Sequence, residues 1–470
     1  MGNDHSKTAA SELPEEIIQH IQSLIISERD GDERDAARTS LLSKSWHGAW
    51  TTHPNLSFDQ SMFWNRMDEF PIFTKKTIQR YEDLIPNIKS FKLWMSMKGN
   101  DYPDLARELI LKAIKLGATD LTIQISLAGV MTRSRFVLPD EVLQSETLAR
   151  LFLLLGQVDH QKWCKEVILP NLKSLHLCYT TIYGDGDLIR DLILGCPSIE
   201  ELTLIDLKSS SPFPFDAMIK LHKLKYLKLE RLDFNDSLCK HDLWPQLPCL
   251  KELVIDDDKS DYKWDDLRIC SPSLERITII IDRFKAVMNA EFDVPNIRYF
   301  KFKGHYVPSL KFKTTTTREW ESEIHVRFSP YMPSAAWLSS LKQLVKMLSP
   351  SRVSLTMHIT ATHDDGDGYV GDGLAVPVVE NLTIQGFGLN GAFLDALLWT
   401  CRPNFINTEK RYAEMVLDLK VFELKKKTVL DPCRETMYIW GKKRNSSRPK
   451  FETISKIIEY LQAFLPWRSL

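Results

Sequence analysis

One short phrase that recurs between Leu169 and His305 constrains this chain more than any other feature. The phrase has the pattern L-x-x-L-x-L, as in NLKSLHL, and it returns every 23 to 27 residues. Its first apolar positions are Leu172, Ile199, Leu224, Leu250, Leu274 and Ile297. An alternating strand of this kind cannot bury its apolar face alone, so neighbouring copies must stack. The pattern predicts an α/β fold, a curved leucine-rich-repeat solenoid with a concave parallel sheet.

Weaker copies of the phrase extend the array in both directions. They begin at Ile88, Ala118 and Leu148 upstream and at Glu321, Arg352 and Val379 downstream. The segments between strands, such as DLARELILKAIKLG, have helical spacing and are expected on the convex side. About twelve irregular repeats are therefore predicted between residues 86 and 400.

The composition favours a protein partner. The 61 basic residues nearly balance the 62 acidic ones, whereas proteins that bind nucleic acid usually carry a basic excess, so no nucleic-acid partner is expected. The eight cysteines contain no C-x-x-C pair, and several lie beside repeat leucines. We expect them to be small buried residues in a reducing compartment rather than zinc ligands or disulfides.

The sequence contains no transmembrane segment, because no apolar run approaches the ~20 residues that a bilayer span needs. The first residues also lack the apolar core of a secretory signal. We therefore expect an intracellular protein, cytoplasmic, nuclear or both.

Two short motifs leave alternatives open for lipid modification and for nuclear import. MGNDHS fits N-myristoylation at Gly2 without a second anchor, and the basic run at Lys442 could be a nuclear address, although such runs are more often solvated surface.

Three short helices are predicted near the N-terminus. In SELPEEIIQHIQSLIIS, Pro14 suits a first helical position, and the acidic residues after it favour a helix start. Ile17, Ile18 and Ile21 lie on one apolar stripe of this helix, and Trp46 lies in the third helix. A unit this small buries too little apolar surface to be stably folded on its own. It is expected to pack on a partner or on the solenoid.

These N-terminal residues resemble the F-box. LPEEIIQHI, which begins at Leu13, and RTSLLSKSW, which ends at Trp46, are similar to its leucine-proline, apolar helix and later S-x-x-S-K-x-W-like segment. An F-box followed by irregular leucine repeats resembles the plant F-box/LRR family. The resemblance implies that the F-box docks on a Skp-type adaptor of a cullin-RING ubiquitin ligase, while the repeats bind a protein substrate. This chain departs from the F-box pattern in a longer, acidic connection between the first two helices.

The resemblance implies an adaptor-binding surface on this unit. Its candidate residues, which form the surface or hold it in shape, are Leu13, Pro14, Ile17, Ile18, Ile21, Leu41, Leu42 and Trp46. The alternative is that these helices only cap the exposed apolar end of the solenoid, as repeat arrays require. The chain would then be a recognition scaffold outside any ligase.

Strand alternation locates a candidate substrate surface. If the leucines point inward, the residue between the last two apolar positions of each copy points outward, onto the concave sheet. This row is Lys92, Thr122, Phe152, His176, Thr203, Lys228, Val254, Thr278, Lys301, His325, Thr356 and Thr383. The candidate substrate-binding residues in it are Lys92, Phe152, His176, Lys228, Lys301 and His325. Phe152 is the aromatic anchor, and the mixed charge favours a protein or peptide substrate.

The sequence contains one stretch that resembles two motifs for cofactor or metal binding, but the neighbouring residues do not fit either kind of site. GDGYVG from Gly366 matches G-x-G-x-x-G, but neighbouring aspartates would repel a pyrophosphate, and Pro377 leaves no room for the helix that should hold it. As a calcium loop the same stretch has Leu374 where a bidentate glutamate belongs. An enzyme would need a pocket of perturbed acids or bases that this sequence does not show. We expect a non-catalytic chain without metal or cofactor; a small-molecule co-ligand is left open.

The predicted domain order follows from these segments. It is a polar tail at 1–10, the F-box at 11–55, an aromatic-rich connecting segment at 56–85, the solenoid at 86–400 and a C-terminal region at 401–470. FLDALLWTCRPN, which begins at Phe393, predicts a helix that stops at Pro403. The last region contains FETISKIIEYLQAFL, an amphipathic stretch predicted to cap the array.

Overall fold

A computed structural model describes most of the chain up to residue 408. The described residues are 13–27, 37–84, 87–96, 102–126, 136–159, 166–183, 188–208, 213–232, 243–257, 264, 266–281, 288–313, 319–328, 334–359, 376–386, 393, 396–397 and 400–408. The chain divides into two compact units, one up to Leu227 and one from Lys228. The MGNDHS motif, the Gly366 loop, the basic run at Lys442 and the predicted closing helix lie outside the described residues.

The first unit alternates helices with parallel strands. Its helices are α1 (Glu15–Ser27), α2 (Lys44–Thr51), α3 (Glu69–Leu84), α4 (Tyr102–Lys115), α5 (Asp140–Leu143), α6 (Leu188–Gly195) and α7 (Phe215–Met218), with a 3-10 helix at Gln60–Phe63 and helical residues at 37–39. Its strands are β1 (Asn55–Asp59), β2 (Ser90–Ser96), β3 (Asp120–Ser126), β4 (Arg150–Asp159), β5 (Ser174–Tyr183) and β6 (Glu201–Ile205). Each strand pairs in parallel with the next along the chain. Strand β7 (Tyr226–Glu230) contains the boundary between the units.

The second unit has two parallel sheets. Its elements are β8 (Glu252–Asp256), β9 (Leu267–Cys270), β10 (Arg276–Ile281), β11 (Asn289–Asp293), β12 (Tyr299–Gly304), β13 (Ser309–Phe312), β14 (Glu321–Phe328), α8 (Ser334–Met347), β15 (Arg352–Ile359), β16 (Val378–Gly386) and β17 (Arg402–Thr408), with a 3-10 helix at Trp244–Gln246. The main sheet has the order β8-β10-β12-β14-β15-β16-β17, and β9, β11 and β13 form the second sheet. Short strands thus occur between the main-sheet strands in three consecutive repeats. These strands of four or five residues were not predicted, because so short an apolar alternation does not distinguish a strand from a turn.

The repeat leucines form the core, as the alternation predicted. Leu175 and Leu177 in β5 are each 1% exposed, and Leu227 and Leu229 in β7 are fully buried. Lys173, beside this core, is exposed. The inward orientation of the leucines is therefore confirmed, and with it the leucine-rich-repeat architecture.

Strands also occur at both ends of the predicted array. All twelve predicted repeat strands are present, and β1 and β17 add one at each end. The helix predicted to reach Pro403 stops earlier, because β17 begins at Arg402, and Pro403 pairs with Val379 of β16. Strand β17 is the last described strand of the main sheet, and a proline is tolerated on such an edge because its missing N–H breaks no ladder bond.

Candidate interaction surfaces

The N-terminal helices pack around a small apolar core. Ile18, Trp46 and Ala49 form this core, with Leu13 and Ile21 packed against it. Ile18 is fully buried and Trp46 is only 6% exposed. Of the candidate adaptor residues, Ile18 and Trp46 therefore hold the unit in shape and do not lie on its surface.

Buried polar contacts fix α1 against the segment that follows it. Gln22 is fully buried, and its Nε2 donates to Thr39 Oγ1 at 3.0 Å and to the carbonyl of Trp46 at 3.4 Å. Ser43 caps α2 by accepting a hydrogen bond from the Trp46 backbone N–H at 3.3 Å. These bonds determine where the turn after Thr39, which carries Leu41 and Leu42, lies relative to α1.

His53 joins this unit to the first repeat. Its Nε2 lies 3.0 Å from Ser23 Oγ of α1, and its carbonyl accepts a hydrogen bond from the Tyr81 hydroxyl of α3 at 2.9 Å. Burial lowers the pKa of His53, so the imidazole is neutral at physiological pH. The N-terminal helices are thus fixed to the repeats by a hydrogen-bonded side chain, in agreement with the expectation that the unit packs on the solenoid.

The other candidate adaptor residues divide into packed and exposed ones. Leu13 and Ile21 are partly buried against the core, whereas Pro14 is exposed. Ile17, Leu41 and Leu42 are 46%, 84% and 65% exposed. Exposed apolar side chains mark a partner site where they form a contiguous patch. We call Ile17, Leu41 and Leu42 the apolar triad.

The predicted outward row exists in the first unit. Lys92, Thr122, Phe152, His176 and Thr203 pair in this order across β2 to β6. The rings of Phe152 and His176 are 5.9 Å apart, so they form one contact surface. Thr203 is only 4% exposed and does not contribute to that surface.

Trp94 is an exposed aromatic residue that the sequence reasoning missed. It is 51% exposed and lies two residues after Lys92 on the same face of β2. Only one outward position of each repeat was considered, although strand alternation places every second residue on that face. A second outward row would have included it.

In the second unit the predicted row shifts by two residues. Lys301 pairs with Glu323, whereas His325 pairs with Lys303. His325, Thr356 and Thr383 align with one another, but they lie one outward position beyond Lys301. The prediction of a single continuous row is therefore wrong between β12 and β14.

Ser322 explains this shift. It occupies an inward position that is apolar in other repeats, and it is 1% exposed. Its hydroxyl lies 2.7 Å from that of Ser351, which satisfies the buried group. A serine does not stand out as a core position in an apolar pattern. The prediction therefore aligned strand β14 on the next apolar pair, Ile324 and Val326.

Two of the candidate lysines are held by glutamates. Lys228 Nζ lies 2.7 Å from Glu230, and Lys301 Nζ lies 2.9 Å from Glu323 Oε1. The same Glu323 oxygen is 2.5 Å from His325 Nε2, and the Tyr299 hydroxyl donates to the other oxygen. Burial would raise the pKa of Glu323, but these hydrogen bonds lower it more, to about 2. Glu323 is thus the centre of a polar cluster on the outward face.

The depressed pKa of Glu323 makes stability depend on pH in a defined window. A carboxylate whose pKa is lower in the folded protein stabilises it above the unfolded pKa, about 4.3, and this contribution is lost as the pH falls towards about 2. Glu323→Gln should cost about 1 kcal/mol or less at neutral pH, because the cluster is partly solvated. Thermal melts should show the difference from wild type vanishing between about pH 4.3 and 2. A difference that does not change with pH would contradict this account; Glu321→Gln is the matched control.

Within the part of the chain that the structure describes, few groups suit catalysis. No group of three or more His, Cys, Asp or Glu side chains that could hold a metal ion occurs there. Burial raises the pKa of the Cys196 and Cys401 thiols to about 12, which keeps them protonated and unreactive. No described helix combines the length and the hydrophobicity that crossing a membrane requires.

Comparison with known proteins gives relatives of one kind. A family model described as "FBD-associated F-box protein At5g56370, LRR repeats" matches residues 112–216. Putative F-box/LRR-repeat protein At4g00320 of Arabidopsis thaliana is 30% identical over 49% of this chain and 46% of its own length. F-box/LRR-repeat protein At4g14103 and F-box/FBD/LRR-repeat protein At4g00160, from the same plant, are 32% and 28% identical over 59% and 52% of their lengths. The chain spans about half the length of these relatives.

Proposed function

We propose that this chain, which is similar to plant F-box/LRR-repeat proteins over about half of their length, is the substrate-recognition subunit of an SCF-type cullin-RING ubiquitin ligase. The N-terminal helices would dock on a Skp-type adaptor, and the repeats would bind a protein substrate. One observation carries this proposal: the N-terminal unit buries Trp46 and Ile18 in a complete core and still exposes the apolar triad. A helical cap needs its apolar side chains turned towards the array, whereas a docking unit needs some of them outside.

The proposed role is proximity rather than catalysis. Ubiquitin transfer would occur on other subunits of the ligase, and this chain would hold a substrate lysine where the charged carrier can reach it. It would need no cofactor or metal, and it would act inside the cell, in the cytoplasm, the nucleus or both.

Each of the two units has an outward face that is a proposed substrate surface. In the first unit Lys92, Phe152 and His176 lie on it, with Phe152 and His176 in ring contact. In the second unit the candidates are Lys228, Lys301 and His325. Aromatic and charged groups side by side suit a peptide surface of mixed character.

Affinity capture from plant cells with the proteasome inhibited tests the two halves of this function together. Wild-type chain should retain a Skp-type adaptor and a set of substrates. A variant with Phe152, His176, Lys228 and Lys301 changed to alanine should retain the adaptor and lose the substrates, because only the outward face is altered. Lys173→Ala with Lys251→Ala, at exposed positions beside the strands, is the matched control.

Two outcomes would count against the proposal. Retention of the same substrates by the four-residue variant would move recognition away from the outward face. Capture of binding proteins without any adaptor would favour the free-standing scaffold.

A further inference from the structure

At the carboxyl ends of β12, β14 and β15 the outward face carries several basic and imidazole side chains. Lys303 pairs with His325, and Arg327 pairs with His358. Neighbouring strands lie about 4.8 Å apart, so these side chains share one small area. We propose that this area, the Arg327 site, binds an acidic segment of the substrate. The inference rests on the proposed function, and it names the chemistry of the peptide that the second unit recognises.

Arg327 has no acidic partner in the part of the chain that the structure describes. Its side chain is half-buried, and its Nη1 lies 3.3 Å from His305 Nε2. Among the described residues, no carboxylate lies within ion-pair distance of its guanidinium. With one nitrogen facing an imidazole, this partly desolvated guanidinium has lost part of its hydration and has gained no counter-charge among the described residues. A ligand carboxylate would restore it through paired, charge-assisted hydrogen bonds, for which the planar guanidinium is suited.

Other arginines on the same face are already neutralised. Arg352 lies 3.2 Å from Glu321, and Arg276 lies 3.8 Å from Glu252. Arg276 also stacks 4.5 Å over the Tyr299 ring. The lack of an acidic partner at Arg327 is therefore a local feature rather than a property of the whole face.

His358 carries a buried polar atom without a partner among the described residues. It lies directly opposite Arg327 in the strand pairing, and its Nδ1 is buried without a hydrogen-bond partner among the described residues. Buried polar atoms without partners are uncommon in folded proteins, and each one requires an explanation. A buried imidazole nitrogen without a partner, opposite a guanidinium that has no carboxylate among the described residues, makes this place a candidate ligand site.

Glu323, an outward acidic residue on the same strand, does not pair with Arg327. Glu323 is hydrogen-bonded by Tyr299, Lys301 and His325. The charge of Glu323 is thus compensated by these three groups rather than by Arg327. An arginine without a carboxylate partner among the described residues suits one or two carboxylates of a peptide, not a nucleic acid, which needs a basic stripe.

Fluorescence anisotropy with the full chain tests the inference. The probes are a labelled peptide with a run of glutamates and the same peptide with glutamines instead. The wild-type chain should bind the glutamate peptide roughly tenfold more tightly, the size expected for a charge-assisted pair. Arg327→Gln should remove this preference, whereas Arg352→Gln, at an arginine already paired with Glu321, should keep it. Circular dichroism melts establish that both variants fold.

Equal affinity of the wild-type chain for the two peptides would overturn the inference. So would equal loss in the Arg352 and Arg327 variants, or tighter binding of a single-stranded oligonucleotide than of the glutamate peptide. Adaptor affinity measured on the same samples separates the two proposals. Adaptor binding without a peptide preference refutes only the Arg327 site, whereas a peptide preference without adaptor binding refutes only the ligase role.

Discussion

Replacing Ile17, Leu41 and Leu42 together by serine is expected to weaken binding of a Skp-type adaptor by at least about 100-fold. Complete burial of one such side chain contributes about 1.5–3 kcal/mol, and about 2.7 kcal/mol in total already corresponds to 100-fold. The triad is 46–84% exposed, so its loss should leave the core of the N-terminal unit intact. Isothermal titration calorimetry measures the affinity, and Leu194→Ser, at a leucine 49% exposed on α6, is the control.

The choice of residues decides whether this experiment is informative. Trp46→Ala or Ile18→Ala would remove core atoms and cost roughly 2–5 kcal/mol of stability, so lost binding could simply mean unfolding. A change at Leu13 has the same weakness, because Leu13 packs against that core. If the folded triad variant binds the adaptor as tightly as wild type does, the apolar triad is not the docking surface.

Leu175→Ala should destabilise the first unit by about 2–5 kcal/mol, whereas Lys173→Ala should change stability by less than about 0.5 kcal/mol. Leu175 is 1% exposed in β5 and pairs with Leu151 and Leu202 on the neighbouring strands, so its truncation leaves a cavity in the stacked core. Lys173 is exposed two residues earlier. Urea denaturation followed by circular dichroism gives both values from the shift of the midpoint at constant slope.

Equal losses in these two variants would mean that Leu175 does not point into the stacked core. The comparison is sharp because a shift of one residue moves every side chain of a strand to the opposite face. The register of the whole first unit would then need revision.

The fold was predictable where apolar residues repeat at a regular spacing. Leucines such as Leu224 and Leu250 mark buried strand positions, and their spacing alone identifies the stack. The prediction failed where a small polar residue took an apolar position, as at Ser322, because its partner Ser351 is distant in sequence. The prediction also failed at Pro403, which was expected to end a helix. The structure places this proline in strand β17, where an edge position tolerates its missing N–H.

The candidate surfaces were predictable only in part. Strand alternation placed Lys92 and Phe152 on the outward face, and the F-box resemblance selected the apolar residues of α1. Neither distinguishes Ile18, which is buried, from Ile17, which is exposed, because both lie on the same apolar stripe. Arg327 was missed for a related reason. A charged residue in a strand is usually paired or solvated, and the lack of a carboxylate beside it depends on neighbouring strands.

Titration of the purified full-length chain with a purified Skp-type adaptor tests the central claim most directly. Calorimetry should show a one-to-one complex with a dissociation constant below about 1 μM, or about -8 kcal/mol of binding free energy. Size-exclusion chromatography should show both proteins in one peak. If the chain is folded by circular dichroism and neither heat nor a joint peak appears, the N-terminal unit is a cap for the repeats and the ligase role is contradicted.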